Sequence, residues 1–386
     1  MTSQGVVAAF RSGDQGLAVQ AQPASPSVSD ADAAVALANA RELLDRGLSL
    51  QRGDVAVEIP RRLLARTLVF APVDGALQAS VDGPRMTDRL IKRFPELQVP
   101  PRDAEFRIRA GRPVIVPARD GKTVAADDVA NAVATAAASY PGSGVMSVPS
   151  VPLAPRLTDD RAAELGISQR LSAFTQEFPY AAYRVQNIGQ AARYVNGTLL
   201  MPGDTFSMND TIKERTRANG YTEGFVIGPG GVFREELGGG VSAATTAVWT
   251  AAFFAGMEPV HVQAHSIYIP RYAPGLEATV AWGVFDMTFR NTSPNAVFIA
   301  ASTTSTSMTV EFWGTRQFDK VKAVFGPRRD VVPYPTVTDP SPTCLGQSGS
   351  EGFTIDVERR FINDRSVVRT ETFTTAYRPS PRVLCS

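Results

Sequence analysis

Apolar residues recur along this chain with two different periods, and the changes of period mark its elements. Ser29 precedes Asp30, Asp32 and the run AAVALANARELLD, which stops before Gly47. An N-cap, acidic first-turn residues and a C′ glycine predict a helix over 30–46. DVAVEIP alternates instead, with Val55, Val57 and Ile59 on one face, and predicts a strand. Pro60 then opens a short helix, RRLLARTL, LQASVDG reads as strand plus turn, and PRMTDRLIKRF as a helix beginning at Pro84. In EFRIRAGRPVIVPARDG, Phe106 and Ile108 alternate with Arg107 and Arg109 before Val114, Ile115 and Val116, the pattern of a hairpin. An Ala-rich helix over 123–139 closes the region.

These elements make an α+β module over 29–140. Residues 1–28, rich in Gln, Ala, Ser and Pro, read as an extended or incomplete segment. Pro141, Pro149, Pro152 and Pro155 mark 141–157 as a linker. A second globular region covers 158–314. The remainder, 315–386, is interrupted by proline and then alternates twice, in FTIDVERRFIND and SVVRTETFTTAYRP. Asn363-Asp364 between them predicts a β-hairpin extension. The expected architecture is multidomain α+β with a β-rich C-terminal tail.

Length agrees: 386 residues, at about 150 per domain, make two or three domains. Lys plus Arg number 39 against 38 Asp plus Glu, a net charge of +1, which argues against a strongly basic nucleic-acid binder. Two cysteines exclude zinc fingers and iron–sulfur clusters, and two histidines, His261 and His265, leave little for a metal site. No metal or cofactor is implied. The N-terminus lacks a basic stretch followed by an apolar run, so a signal peptide is not expected as written, and any membrane anchor is expected upstream of this chain. The uncharged stretch 238–257 is too polar at its start and too short beyond it to span a bilayer, and reads as a buried helix.

The candidate chemistry lies between Asn187 and Asn291. Gly238, Gly239 and Gly240 enter a helix whose first residues expose backbone N–H groups at the positive end of the dipole. Ser242 follows, either as an ordinary N-cap or as a nucleophile beside an oxyanion site. His265 is either a hydrogen-bonded structural residue or a general base, with Glu277 or Asp286 orienting its imidazole. Ser, His and a carboxylate suffice chemically for acyl transfer. Arg215 and Arg271 read as surface ion-pair residues or as binders of a substrate carboxylate, and Thr245 as a further substrate contact. Val248, Trp249, Ala252, Phe253 and Met257 form the apolar stripe of the helix, expected to pack on a sheet containing strands through His265 and Thr279. Gly256 stops the helix before Pro259, and a returning strand of about six residues covers a helix of roughly 20 Å, bringing His265 level with Ser242 in one cleft. Cys344 and Cys385 are either two separate buried thiols or one disulfide. As a disulfide they would close a loop worth roughly 4 kcal/mol and imply an oxidising compartment.

The blocks NIGQAARYVNGTLLMPGDTFSMND, NGYTEGFVI, ELGGGVSAATT, HSIYIPRYAPGLEATV and DMTFRN, in that order, resemble the VanW family over about 170–315. The upstream DAEFRI, VIVPARDG and closing helix resemble the peptidoglycan-binding domain that commonly precedes it, and the tail resembles C-terminal extensions of actinobacterial members. The family takes its name from an accessory gene of vancomycin-resistance clusters. The resemblance implies cell-envelope work on peptidoglycan or its stem peptides, outside the cytoplasm. Some members are understood as L,D-transpeptidases with a catalytic Cys in a Gly-Gly-Gly-hydrophobic-Cys-Gln motif. The family His matches His265, and its Asp-Ala-Thr-Val block matches 277–280. Here Ser242 stands at the Cys position and Ala243 at the Gln position. A helix N-terminus activates a thiolate, whereas a Ser hydroxyl needs a well-placed base. Three readings follow: a non-catalytic binder of peptidoglycan stem peptides, an acyltransferase using Ser242 with His265, and a scaffold for wall enzymes.

Overall fold

The computed structural model describes residues 10–11, 28–73, 76–138, 144–227, 233–342 and 344–386. The segment expected to be extended over 1–28 lies outside the described residues except at 10, 11 and 28, and so do 141–143 of the linker. The fold is α+β in two compact units, one formed by 1–102 and 119–155, the other by 103–118 and 156–386.

In the first unit, helix Asp30–Arg46 begins with a full capping box, in which Ser29 and Asp32 bond each other's backbone N–H. Strand Leu48–Arg52 pairs antiparallel with Val55–Ile59 and parallel with Val145–Ser147. Leu50, Leu64, Met86, Leu90, Val129 and Val133, all at 0% exposure, fill the space between this sheet and the helices. Helix Gly83–Arg93 starts at a glycine because a Cβ there would lie 2.5 Å from the Ala126 carbonyl oxygen of the neighbouring helix Ala126–Ala138.

The hairpin Glu105–Arg109 with Arg112–Val116, which the sequence pattern placed in the N-terminal module, belongs to the second unit. Phe106 packs there at 5.7 Å from the ring of Phe298, in a small core with Ile167 and Trp313. Alternation reveals that a hairpin exists, but its apolar face does not name its partner.

The second unit is built on a four-stranded antiparallel sheet in the order Gln169–Glu177, Ser307–Gly314, Val297–Thr303, Thr198–Leu200. The central helix Val241–Ala255 lies against its first two strands, and every residue from Ala243 to Phe253 is buried. The segments through His265 and Thr279 are therefore not strands of the sheet under the helix. Both are irregular, joined where Thr279 N–H donates to Gln263 O at 2.9 Å. The return strand Glu258–His261 pairs instead with Thr288–Arg290, which pairs with Thr205–Ser207.

The tail is not a separate module. Its long hairpin, Gly352–Asn363 with Ser366–Tyr377, turns at Asp364-Arg365, one residue later than expected, with both residues at positive φ as a tight hairpin turn demands. Val357 joins the main core, and Arg359, 0% exposed, donates to the Phe253 carbonyl at 3.3 Å and the Met257 carbonyl at 2.9 Å. Its guanidinium also pairs with Glu371 and sits between the rings of Phe253, Phe361 and Phe373. A buried cation thus satisfies carbonyls at the C-terminal end of the central helix. Strands Thr336–Asp339 and Arg382–Cys385 run parallel, and Cys344 is joined to Cys385 across 5.7 Å between Cα atoms. Among the described residues no helix is long and apolar enough to cross a membrane.

Candidate functional site

The glycine turn is shaped by close approach. A Cβ on Gly239 would lie 2.1 Å from the Gly224 backbone, and one on Gly238 would lie 2.3 Å from Arg215 Cγ. Gly240 caps the central helix in the left-handed region, at φ 88°. Asn187, 0% exposed, holds the turn from beneath: its amide donates to Gly239 O and Thr222 O, both at 2.9 Å, and accepts from Thr222 N–H. An Asn inside a helix competes poorly for helix stability, and that was the available signal for such a role.

Ser242 is thereby the second helical residue and not the cap, which is Gly240. Its Oγ lies 3.0 Å from Thr279 Oγ1. The amides of Val241 and Ala243 return to Gly238 O and Gly240 O, whereas the Ser242 N–H has no acceptor among the described residues. A cleft of about 1160 Å³ opens at this helix end. Gly238, Gly240, Ser242, His265, Arg215 and Arg271 all line it. The other expected residues do not. Gly239 is turned in against Gly224, and Thr245 is fully buried in the helix, with its Oγ1 on Val241 O at 3.2 Å.

Glu277 is also outside the cleft lining. It is 3% exposed, and Tyr377 donates to its Oε1 at 2.5 Å while the same phenol oxygen accepts from Gly275 N–H at 2.7 Å. Burial raises the Glu277 pKa, opposed by the Tyr377 bond and by backbone N–H groups that include His265. Glu277 therefore spends Oε1 on the Tyr377 phenol, while its Oε2 is buried without a partner among the described residues, and it does not orient the His265 ring. Asp286, the alternative, bonds Ser207 Oγ and the amides of Asn209 and Met287. Neither carboxylate orients the imidazole.

His265 is 6% exposed, stacks on Tyr272 at 5.2 Å with 10° between the planes, and leaves Nδ1 without a partner. Burial, reinforced by the charge of Arg271, pushes its pKa down to about 3, so the ring is neutral across physiological pH. Arg271 lies over Tyr272 at 5.4 Å, and Arg215 over Trp282 at 5.9 Å while donating to Asn209 Oδ1 and Lys213 O. Neither forms an ion pair among the described residues. Arg184 and Arg378 also line the cleft and were not singled out by sequence, since an Arg far along the chain from Ser242 gives no local sign of its destination. No cluster of three or more His, Cys, Asp or Glu side chains is placed to hold a metal among the described residues.

A neutral imidazole, a hydroxyl at a helix N-terminus and an excess of arginines define a cleft suited to an anionic, peptide-sized ligand. Residues 183–313 match the family described as VanW like protein, and residues 26–141 match the one described as "Putative peptidoglycan binding domain". The chain thus carries a VanW-like domain behind a peptidoglycan-binding-type domain. The uncharacterized protein YoaR of Bacillus subtilis is 27% identical over 175 residues, which are 45% of this chain and 57% of that protein. No solved structure matches the chain.

Proposed function

We propose that the VanW-like domain binds peptidoglycan stem peptides in the Ser242–His265 cleft and that the chain acts in the cell envelope, outside the cytoplasm, as a binding protein. The observation that carries this reading is the partner of Ser242. Its hydroxyl meets Thr279 Oγ1 at 3.0 Å, and a hydroxyl without a base to take its proton is a poor nucleophile. The volume, about 1160 Å³, exceeds that of pockets for single small molecules and suits several peptide residues. The Cys344–Cys385 bond supports an oxidising compartment. A second reading, acyl transfer by Ser242, is favoured by one feature, that His265 lines the same cleft, although burial lowers its pKa and makes it a weak acceptor for the Ser242 proton.

Purified full chain mixed with isolated sacculi separates these readings. Binding predicts that wild type and Ser242→Ala sediment alike and that neither alters muropeptides, whereas Ser242→Cys gains turnover because a thiolate needs less help. Turnover by wild type that Ser242→Ala abolishes would establish the acyltransferase instead. Failure to sediment would leave the scaffold.

A further inference from the structure

The charges lining the cleft are unequal: Arg184, Arg215, Arg234, Arg271 and Arg378 face Glu214 and Glu236. Arg234 and Glu236 neutralise each other in an ion pair at 2.5 Å. Arg271 and Arg378 make no side-chain hydrogen bond or ion pair among the described residues, and Arg184 bonds only the Pro179 carbonyl, at 3.1 Å. Guanidinium groups left unpaired in a concave site are half of a bidentate pair. Beside them stands the N-terminus of a 15-residue helix whose Ser242 N–H has no acceptor among the described residues. The second, independent sign of a ligand is His265, which lines the cleft at 6% exposure with its Nδ1 unsatisfied. A buried polar atom without a partner costs free energy unless something is meant to fill the site.

We infer that the Arg271 end of the cleft is a subsite for a free C-terminal carboxylate, so that the domain selects peptides with an uncapped C-terminus over amidated or cross-linked ones. This rests on the reading of the cleft as a stem-peptide site and adds which end of the peptide is recognised. The carboxylate takes a charge-assisted bond from Arg271 and one from the Ser242 N–H, where the helix dipole adds to the attraction. Arg378 supplies the wider positive field.

The test uses the full chain and two fluorophore-labelled stem tetrapeptides, alike except that one ends in a free D-alanine carboxylate and the other in its amide. Fluorescence polarisation should show the free acid bound at least about ten-fold more tightly. Arg271→Gln should erase that difference. Arg378→Gln, an independent variant, should weaken the free acid more than the amide and lessen the salt dependence. Equal binding of acid and amide by wild type, or a preference that survives in Arg271→Gln, overturns the subsite and leaves the stem-peptide reading standing. If neither peptide binds while sacculi still do, both fall, and wall binding belongs elsewhere in the chain.

Discussion

Replacing Arg359 by Met should cost this protein about 3–5 kcal/mol, because it breaks a buried pair from one side only. Met keeps an apolar stem of similar length, so the change isolates the charge. What is lost can be counted. Phe253 O and Met257 O, at 3.3 Å and 2.9 Å, lose a cationic donor, and bonds to a charged group contribute about 1.5–3 kcal/mol each. Glu371 loses a partner too, but its side chain is 32% exposed, so its share is discounted for solvent screening. The favourable placement of a cation at a helix C-terminus is included in the same bonds and is not added again. For a unit of this size the loss corresponds to about 6–20 °C in Tm, read by scanning calorimetry or a denaturant melt. Arg360→Ala is the control: Arg360 is half-exposed and paired with half-exposed Glu358, so its removal should cost about 1 kcal/mol or less. If Arg359→Met loses no more than Arg360→Ala, the guanidinium does not stabilise the C-terminal end of the central helix, and this reasoning is refuted.

Two further outcomes are expected. His265 has a folded-state pKa near 3, below the 6.5 of an unfolded chain, so its contribution to stability is complete above pH 6.5 and is lost as pH falls towards 3. At pH 5 that loss amounts to about 2 kcal/mol; His265→Gln should flatten the fall of Tm between pH 7 and 5, and an unchanged slope would contradict a buried neutral ring. The Cys344→Ser/Cys385→Ser double variant opens a loop with a sequence separation of 41 and should lose roughly 4 kcal/mol by the loop-entropy relation. An unaltered melt would mean that the parallel pair Thr336–Asp339 with Arg382–Cys385 already fixes the tail.

The sequence determined what is local. Ser29, Asp32 and Gly47 bound a helix because caps act within a turn, and alternation over 352–377 specified a hairpin because its strands are neighbours. The glycine turn, the buried central helix and the presence of Ser242 and His265 in one cleft were legible for the same reason: a short connection leaves a returning chain few places to go. Tertiary structure decided the partners. Glu277 meets Tyr377, 100 residues on, Arg359 meets the end of a helix more than 100 residues earlier, and Ser242 meets Thr279 instead of an imidazole. A residue's chemistry says what it can bond but not which distant segment arrives beside it. That depends on how the sheet, the central helix and the tail pack together, and no pattern within one segment encodes it.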